Sequence, residues 1–333
     1  MKTLHAKSTC CGAKVYRYGS RRRQCSRCGK IWRIRRKRRG RPRRRLNPDL
    51  LDRVLLANQT LQGLAECSHL TRQALSYRFR RLLLQLTAQL YPSYPEGKLV
   101  LLIDGLWFRF RRRPWVLYLV ALKPCGQNHA VFVDPVLLSG REQIEHWREV
   151  LGAIPLEVRQ RIVALVADNL RGVKGLALQN RWTLQLCQFH LISQLQGRRG
   201  RVRSTVPGRE VREALYQLTR QALEVPDGPE LEAILERLQR WVQKPVPLGR
   251  MGMVVRSFLR DIDHYRAYRR YPQFGLPATT NAVESMGRVI RDLMRRARNF
   301  STPEALRLWV IALIRERPKV TCNGKHFQPN YFV

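Results

Sequence analysis

Acidic residues are what this chain has least of. Its 333 residues hold 24 Asp and Glu against 63 Lys and Arg, a formal net charge of +39. Residues 1–90 set only Asp49, Asp52 and Glu66 against 24 basic side chains. Like charge at that density repels itself, so it persists where a polyanion neutralises it. Long apolar runs are missing too. None reaches the roughly 18–20 residues that span a bilayer, so a membrane-spanning helix is excluded. The basic run lacks an apolar face beside it, which argues against a membrane anchor. The opening MKTLHAKSTCCG has no signal-peptide apolar region. A soluble, cytoplasmic protein that meets no membrane is expected. In that compartment the eight Cys are expected to be reduced, and the clustered ones to be metal ligands. No repeat of fixed period is present.

The first ligand cluster lies near the N-terminus. Cys25-Ser26-Arg27-Cys28-Gly29 places two thiols three residues apart on a tight turn that Gly29 completes. The partner knuckle is irregular. Ser8 stands where a second C-x-x-C would begin, Cys10 and Cys11 are adjacent, and His5 is a further donor. Tetrahedral Zn2+ takes four ligands. The expected set is Cys11, Cys25, Cys28 and one of Cys10 or His5. Residues 1–34 are thus read as a zinc ribbon, because so polar a segment has almost no core without a metal. Residues 35–46 follow as a basic linker containing RRKRRGRPRRR. Arg39, Gly40 and Arg41, with Pro42 next, match the core of an AT-hook, thin enough to enter a narrow minor groove. A plain basic linker would still neutralise phosphates.

Residues 47–92 read as three helices. Pro48–Ala57 has helical apolar spacing, Thr60 caps LQGLAE, and Thr71 caps TRQALSYRFRRLLLQL. The leading face of the third helix shows Arg72, Gln73, Ser76 and Arg80. This is the arrangement of a helix-turn-helix reader of double-stranded DNA.

From residue 98 the pattern turns to strands. KLVLLIDGLWFRF, PWVLYLVALKP and HAVFVDPVLLSG are β-rich runs with short connections. A helix REQIEHWREVLGAIP, a buried strand RIVALVADN, a short helical piece and a strand WTLQLCQFH come next. The order β-β-β-α-β-α-β is an α/β layer fold. LVLLID ends in Asp104 and IVALVAD ends in Asp168, which puts both carboxylates at the rim of a sheet if the strands are neighbours. Two close anions disfavour each other unless a cation binds them. With oxygen ligands that cation is a hard one, Mg2+ or Mn2+. Glu284 is a third candidate, in the first turn of an otherwise basic helix. Arg288 and Arg291 follow it at helical spacing and can face a phosphate.

These residues resemble the DDE transposases of bacterial insertion sequences, of the Mutator-like type. IDGLWFRFR is similar to the family's first-acid strand, ADNLRG and CQFH to its second acid and C/D-x2-H element, and TTNAVES to its third-acid helix. The likeness covers residues 98–316, and TTNAVES is its most specific part. It implies an RNase H-like mixed sheet flanked by helices over residues 98–318, with a helical insertion near 205–270 and a tail from 319 to 333. It implies that Asp104, Asp168 and Glu284 hold Mg2+ for strand cleavage and transfer, with Cys187 and His190 beside them. Double-stranded DNA, both transposon terminal repeats and target, is the implied partner, bound by two or more copies of the chain in a prokaryotic, nucleoid-associated setting. Asn169 departs from the family, which carries Gly after the second acid. A catalytically silent DNA-binding regulator and a nuclease without strand transfer are the alternatives.

Overall fold

In the computed structural model, the described residues are 3–33, 49–57, 59–88, 94–199, 208–245, 247–297 and 300–322, with the side chains of 3–6 excepted. Arg39, Gly40, Arg41 and the side chain of His5 lie outside them. The chain divides into two compact units, Met1–Leu46 and Asn47–Val333.

The first unit is a four-stranded antiparallel sheet in the order β1-β2-β3-β4, formed by β1 Thr3–Lys7, β2 Lys14–Arg17, β3 Arg22–Cys25 and β4 Ile31–Arg33. Its only buried apolar side chains among the described residues are Val15 and Cys25. That is too little apolar surface to hold a sheet by itself.

The second unit opens with α1 Asp49–Leu55, α2 Leu61–Cys67 and α3 Arg72–Thr87. The expected caps are in place. Thr60 Oγ1 accepts from the Gly63 amide at 3.0 Å, and Thr71 Oγ1 accepts from the Ala74 amide at 3.1 Å. Each satisfies an amide the helix itself cannot.

The sheet of this unit has seven strands: β5 Leu99–Phe110, β6 Arg113–Pro124, β7 His129–Phe132, β8 Val136–Ser139, β9 Ile162–Ala167, β10 Thr183–Leu186 and β11 Lys319–Thr321. The main path runs β10-β9-β5-β6-β7-β11, with β8 also paired to β6. β9 is parallel to β5 and β10, whereas β5, β6 and β7 form an antiparallel meander. The fold is α/β with a mixed sheet flanked by helices.

Four details differ from the sequence reading. The third strand is two pieces, because Asp134-Pro135 interrupts it and proline has no amide for the ladder. Asp134 instead accepts from Arg315, at 3.1 and 2.5 Å. β5 does not end at Asp104 but runs to Phe110, since Leu106-Trp107-Phe108-Arg109-Phe110 alternates buried and exposed with the strand period. WTLQLCQFH is not one strand: β10 stops at Leu186, and Cys187 is the N-cap of a helix. Finally, part of the expected tail, β11, closes the sheet edge beside β7.

Between the strands lie α4 Ile144–Gly152, α5 Leu156–Arg159, α6 Val173–Gln179 and α7 Gln188–Gln196. Then come α8 Arg209–Glu224, α9 Pro229–Val242, α10 Arg250–Arg260, and two short turns, α11 Ile262–Tyr265 and α12 Ala267–Arg270. α13 Asn281–Arg296 and α14 Pro303–Glu316 complete the unit. The helical stretch is tied down by Arg266, fully buried, which pairs with Asp227 at 2.8 Å and donates to the carbonyls of Ala222 and Val225. Gln185 and Gln188 both donate to the Tyr265 carbonyl, at 3.0 and 2.9 Å, joining that stretch to β10 and α7.

Two glycines allow close approach to β5. A Cβ on Gly287 of α13 would meet Leu106 Cδ2 at 2.8 Å, and one on Gly105 would meet Glu142 Oε1 at 2.6 Å. Residues 105 and 106 point to opposite faces of the strand. α13 therefore lies on one face of β5, and the segment leading into α4 on the other.

Candidate active site

The last register pair between β5 and β9 is Leu102 with Val166. β9 ends at Ala167, while β5 continues along β6. From Asp104 onward one edge of β5 is open, and Asp168 follows directly on the end of β9. The two carboxylates flank the resulting notch. α13 crosses the same face of β5 and brings Glu284 in its first turn.

His190 joins these groups. Its Nδ1 is 2.5 Å from Asp168 Oδ1 and 3.3 Å from Glu284 Oε1. The Asp168 contact is close but not aligned as a hydrogen bond, so Asp168 Oδ1 is a buried oxygen without a hydrogen-bond donor. His190 reaches this point because Cys187 and His190 are three residues apart in the first turn of α7 and share a face, Nδ1 and Sγ lying 3.4 Å apart.

Cys187 is buried and acts as a clamp. Its sulfur accepts from the Thr280 amide at 3.3 Å and from Thr280 Oγ1 at 3.2 Å. Thr280 Oγ1 also lies 2.8 Å from Glu284 Oε1. One threonine thus ties the start of α13 to α7 and aims the glutamate. Burial pushes the Cys187 thiol up, which keeps it protonated and a poor metal ligand.

The electrostatics are those of crowded anions. Burial first, then the charge of Asp168, pushes Asp104 up to about 8. Burial also raises Glu284, with His190 opposing. Burial works against a charged His190, yet the adjoining Asp168 carboxylate and Cys187 outweigh it and push the imidazole up to about 11. A protonated His190 is the only cation paired with these acids. Among the described residues no Lys or Arg forms an ion pair with Asp104, Asp168 or Glu284. In a chain with +39 net charge, three carboxylates without an arginine partner among the described residues are an arrangement that could accept another cation. Among the described residues, the possible ligands there whose donor atoms all lie within 4.8 Å of one another are Asp168, Cys187 and His190; Asp104 and Glu284 stand outside that group.

Glu142 is a fourth carboxylate that sequence reasoning missed. Its side chain lies over Gly105, and Oε1 accepts from the buried Trp147 indole at 3.0 Å. Burial raises it, with Trp147 opposing and Asp168 adding to the rise. Arg141-Glu142-Gln143 reads as the first turn of a helix, and only the bare backbone of Gly105 hinted at a neighbour.

Arg288 and Arg291 are exposed on α13, and neither is in an ion pair among the described residues. Asn169 donates to Ser257 Oγ at 3.3 Å, so its side chain points to α10. The four residues read as a recognition face, Arg72, Gln73, Ser76 and Arg80, are all exposed, and two of them also reach neighbouring elements. Arg72 donates to the Ala297 carbonyl at 3.1 Å, and Arg80 pairs with Glu304 at 3.1 Å. With Gln73 and Ser76 they line a cleft of about 650 Å³ against α14. The reason is packing: Phe79 of α3 meets Trp309 of α14 edge to face at 5.4 Å.

In the N-terminal unit, Cys10, Cys11, Cys25 and Cys28 come together with all four sulfurs within 4.8 Å. Cys10 and Cys28 are 3.5 Å apart, close to the roughly 3.8 Å between thiolates on one tetrahedral zinc. Both adjacent cysteines join the group, so His5 is not needed to complete a set of four. Ser8 makes this possible. Its Oγ accepts from the Cys11 and Ala13 amides and lies 3.3 Å from Cys25 Sγ. Gly12 and Gly29 turn the two knuckles with φ of +63° and +69°.

The chain matches no model of a known protein family, and it matches no curated protein.

Proposed function

We propose that this chain is a DNA transposase of the DDE type, acting on phosphodiester bonds through Asp104, Asp168 and Glu284. The observation that carries the reading is their convergence on one notch, from two neighbouring parallel strands and a helix, without an arginine partner in a strongly basic protein. The strand order β10-β9-β5-β6-β7, antiparallel on one side of β5 and parallel on the other, supports an RNase H-like body. The basic N-terminal region supports a polyanionic partner, double-stranded DNA.

The buried, donor-free Asp168 Oδ1 and the crowded carboxylates fit a hard cation, Mg2+ or Mn2+, held by Asp104, Asp168 and Glu284. When bound, such ions make a water or 3′-hydroxyl a better nucleophile and stabilise the leaving oxygen. The chain's own residues set the stage. Thr280 and Cys187 fix Glu284. His190 holds Asp168 and carries a positive charge into the notch. Arg288 and Arg291 present guanidinium groups along α13, suited to phosphate oxygens. The four sulfurs of the N-terminal unit fit Zn2+, which would be structural there.

Asp104→Asn, Asp168→Asn and Glu284→Gln are each expected to lower metal-dependent strand cleavage and joining by roughly a thousandfold or more, since removing a ligand removes several kcal/mol of charge stabilisation. Duplex binding should stay within about threefold, because the basic surface is untouched. A Glu284→Gln chain that cleaves at the wild-type rate would refute the assignment. Normal binding by a wild type that never cleaves with any divalent cation would leave the DNA-binding regulator as the better reading.

A further inference from the structure

β5 and β6 run past β9 and β7, with β8 alongside β6 from Trp115 to Tyr118, and the tip of this hairpin ribbon has an unusual turn. Phe110 pairs with Arg113, so Arg111 and Arg112 alone make the turn, with φ of +48° and +65°. A two-residue turn with both φ positive favours Asn-Gly, because a Cβ crowds the backbone there. Here two arginines hold that conformation. Strain of this kind persists where the side chains have a use.

The ribbon's faces are unlike. Leu106, Phe108 and Phe110 are buried, and Phe110 packs edge to face on Trp115. Trp107 and Arg109 alternate with them on the outer face, and Arg111 follows in the turn, exposed. Trp107 is 50% exposed, a large share for an indole. Its indole lies near enough to Glu142 to oppose the rise that burial imposes on that carboxyl. Arg109, Arg111, Arg112 and Arg113 are all exposed, and none is in an ion pair among the described residues. The stripe starts three residues beyond Asp104, about 10 Å along the strand and on its opposite face, so a strand reaching it passes around the open edge of β5.

An exposed indole followed by unpaired guanidiniums suits one class of ligand, a nucleic-acid strand with a base free to stack. Every base has a π-face, and arginines track the phosphates that follow it. A paired duplex end offers the phosphates but buries its bases. We propose that the outer face of the β5–β6 ribbon holds an unpaired stretch of the DNA strand next to the cleavage site, with a base stacked on Trp107 and the following phosphates on Arg109 and Arg111. This rests on the transposase reading for the identity of the strand, and on the ribbon alone for its chemistry.

The test compares two labelled oligonucleotides, a fully paired duplex and the same duplex with a short unpaired arm. Binding to the full-length, zinc-loaded chain is followed by fluorescence anisotropy, with no other divalent cation added. The wild type should prefer the forked DNA. Trp107→Ala should lose roughly tenfold on the forked DNA and about twofold or less on the paired one, while Trp107→Phe keeps most of the preference. Replacing Arg109 and Arg111 with Ala should flatten the salt dependence on the forked DNA. A 2-aminopurine in the arm should be quenched by the wild type and not by Trp107→Ala. Equal binding of both DNAs by wild type and Trp107→Ala would overturn the proposal, as would equal losses on both. Cleavage plays no part in this assay. Loss of the fork preference in a chain that still cuts DNA removes this inference alone, and a chain that prefers forks but never cuts removes the transposase reading alone.

Discussion

The cysteine cluster and the carboxylate notch are both proposed as places for a cation, and they are built from opposite materials. The cysteines come from one short ribbon, Cys10 to Cys28, on two turns shaped by Ser8, Gly12 and Gly29. Almost nothing apolar is buried beneath them. The carboxylates come from β5, β9 and α13, set on a sheet whose strands are buried almost throughout. Asp104, Asp168 and Glu284 are far apart in sequence and are joined only by tertiary structure. A site made of local turns needs its ion to fold, and metal binding is then folding free energy. A site mounted on a packed core exists without its ion and bears the repulsion of its empty anions.

Breaking either side of that comparison should give different results. The largest effect is expected in the ribbon. Cys25→Ser or Cys28→Ser should release zinc and unfold residues 3–33, while the melting of the second unit changes little. Elemental analysis with circular dichroism and limited proteolysis would check this. A wild-type chain that purifies without zinc and keeps the ribbon folded would contradict it.

In the notch the expectation is reversed, because removal of an acid should stabilise the metal-free protein. Asp104 is held near 8 by burial and by Asp168, well above a free aspartate. A group raised on folding contributes stability that is complete below its unfolded pKa and is lost as pH rises through the folded one. The metal-free second unit should therefore lose stability between about pH 4 and pH 8. Asp104→Asn should flatten that loss and gain on the order of 1 kcal/mol at pH 8. Urea melts at several pH values give the comparison. A wild-type profile that does not fall over this range would show that the acids are not in conflict.

The smallest effect sharpens the contrast. Asp134 is the other strand-end acid, and Arg315 satisfies it at 3.1 and 2.5 Å. Asp134→Ala should lower stability by roughly 1–2 kcal/mol, as for a partly buried pair, and leave cleavage unchanged. The two outcomes would separate an acid that holds the fold through an arginine from acids proposed to hold a ligand.

The sequence made part of this legible. Asp104, Asp168 and Glu284 stood out because apolar runs or basic neighbours isolate them, and the two Thr caps were plain from their spacing. The rest depended on contacts that spacing does not carry. Glu142 looked like an ordinary helix start until Gly105 proved to lie beneath it. His190 was read as following a strand, since CQFH continues the alternation of WTLQL; in the fold it lies inside α7, which is what brings Cys187 and His190 onto one face. Arg72 and Arg80 look like readers of DNA on an isolated helix; in the fold they stay exposed, but spacing could not show that they also engage the Ala297 carbonyl and Glu304. The turn at Arg111-Arg112 carries no turn residues at all, so nothing in its composition announced it.

The central claim is that the three carboxylates form a site for a hard cation. The most direct measurement is the binding of Mn2+ to the zinc-loaded full-length chain, counted by electron paramagnetic resonance, in the wild type and in Asp168→Asn and Glu284→Gln. The account predicts that the wild type takes up Mn2+, that Mg2+ displaces it, and that each substitution weakens uptake at least tenfold while Asp134→Ala does not. Equal Mn2+ binding by the wild type and the two notch variants would contradict it.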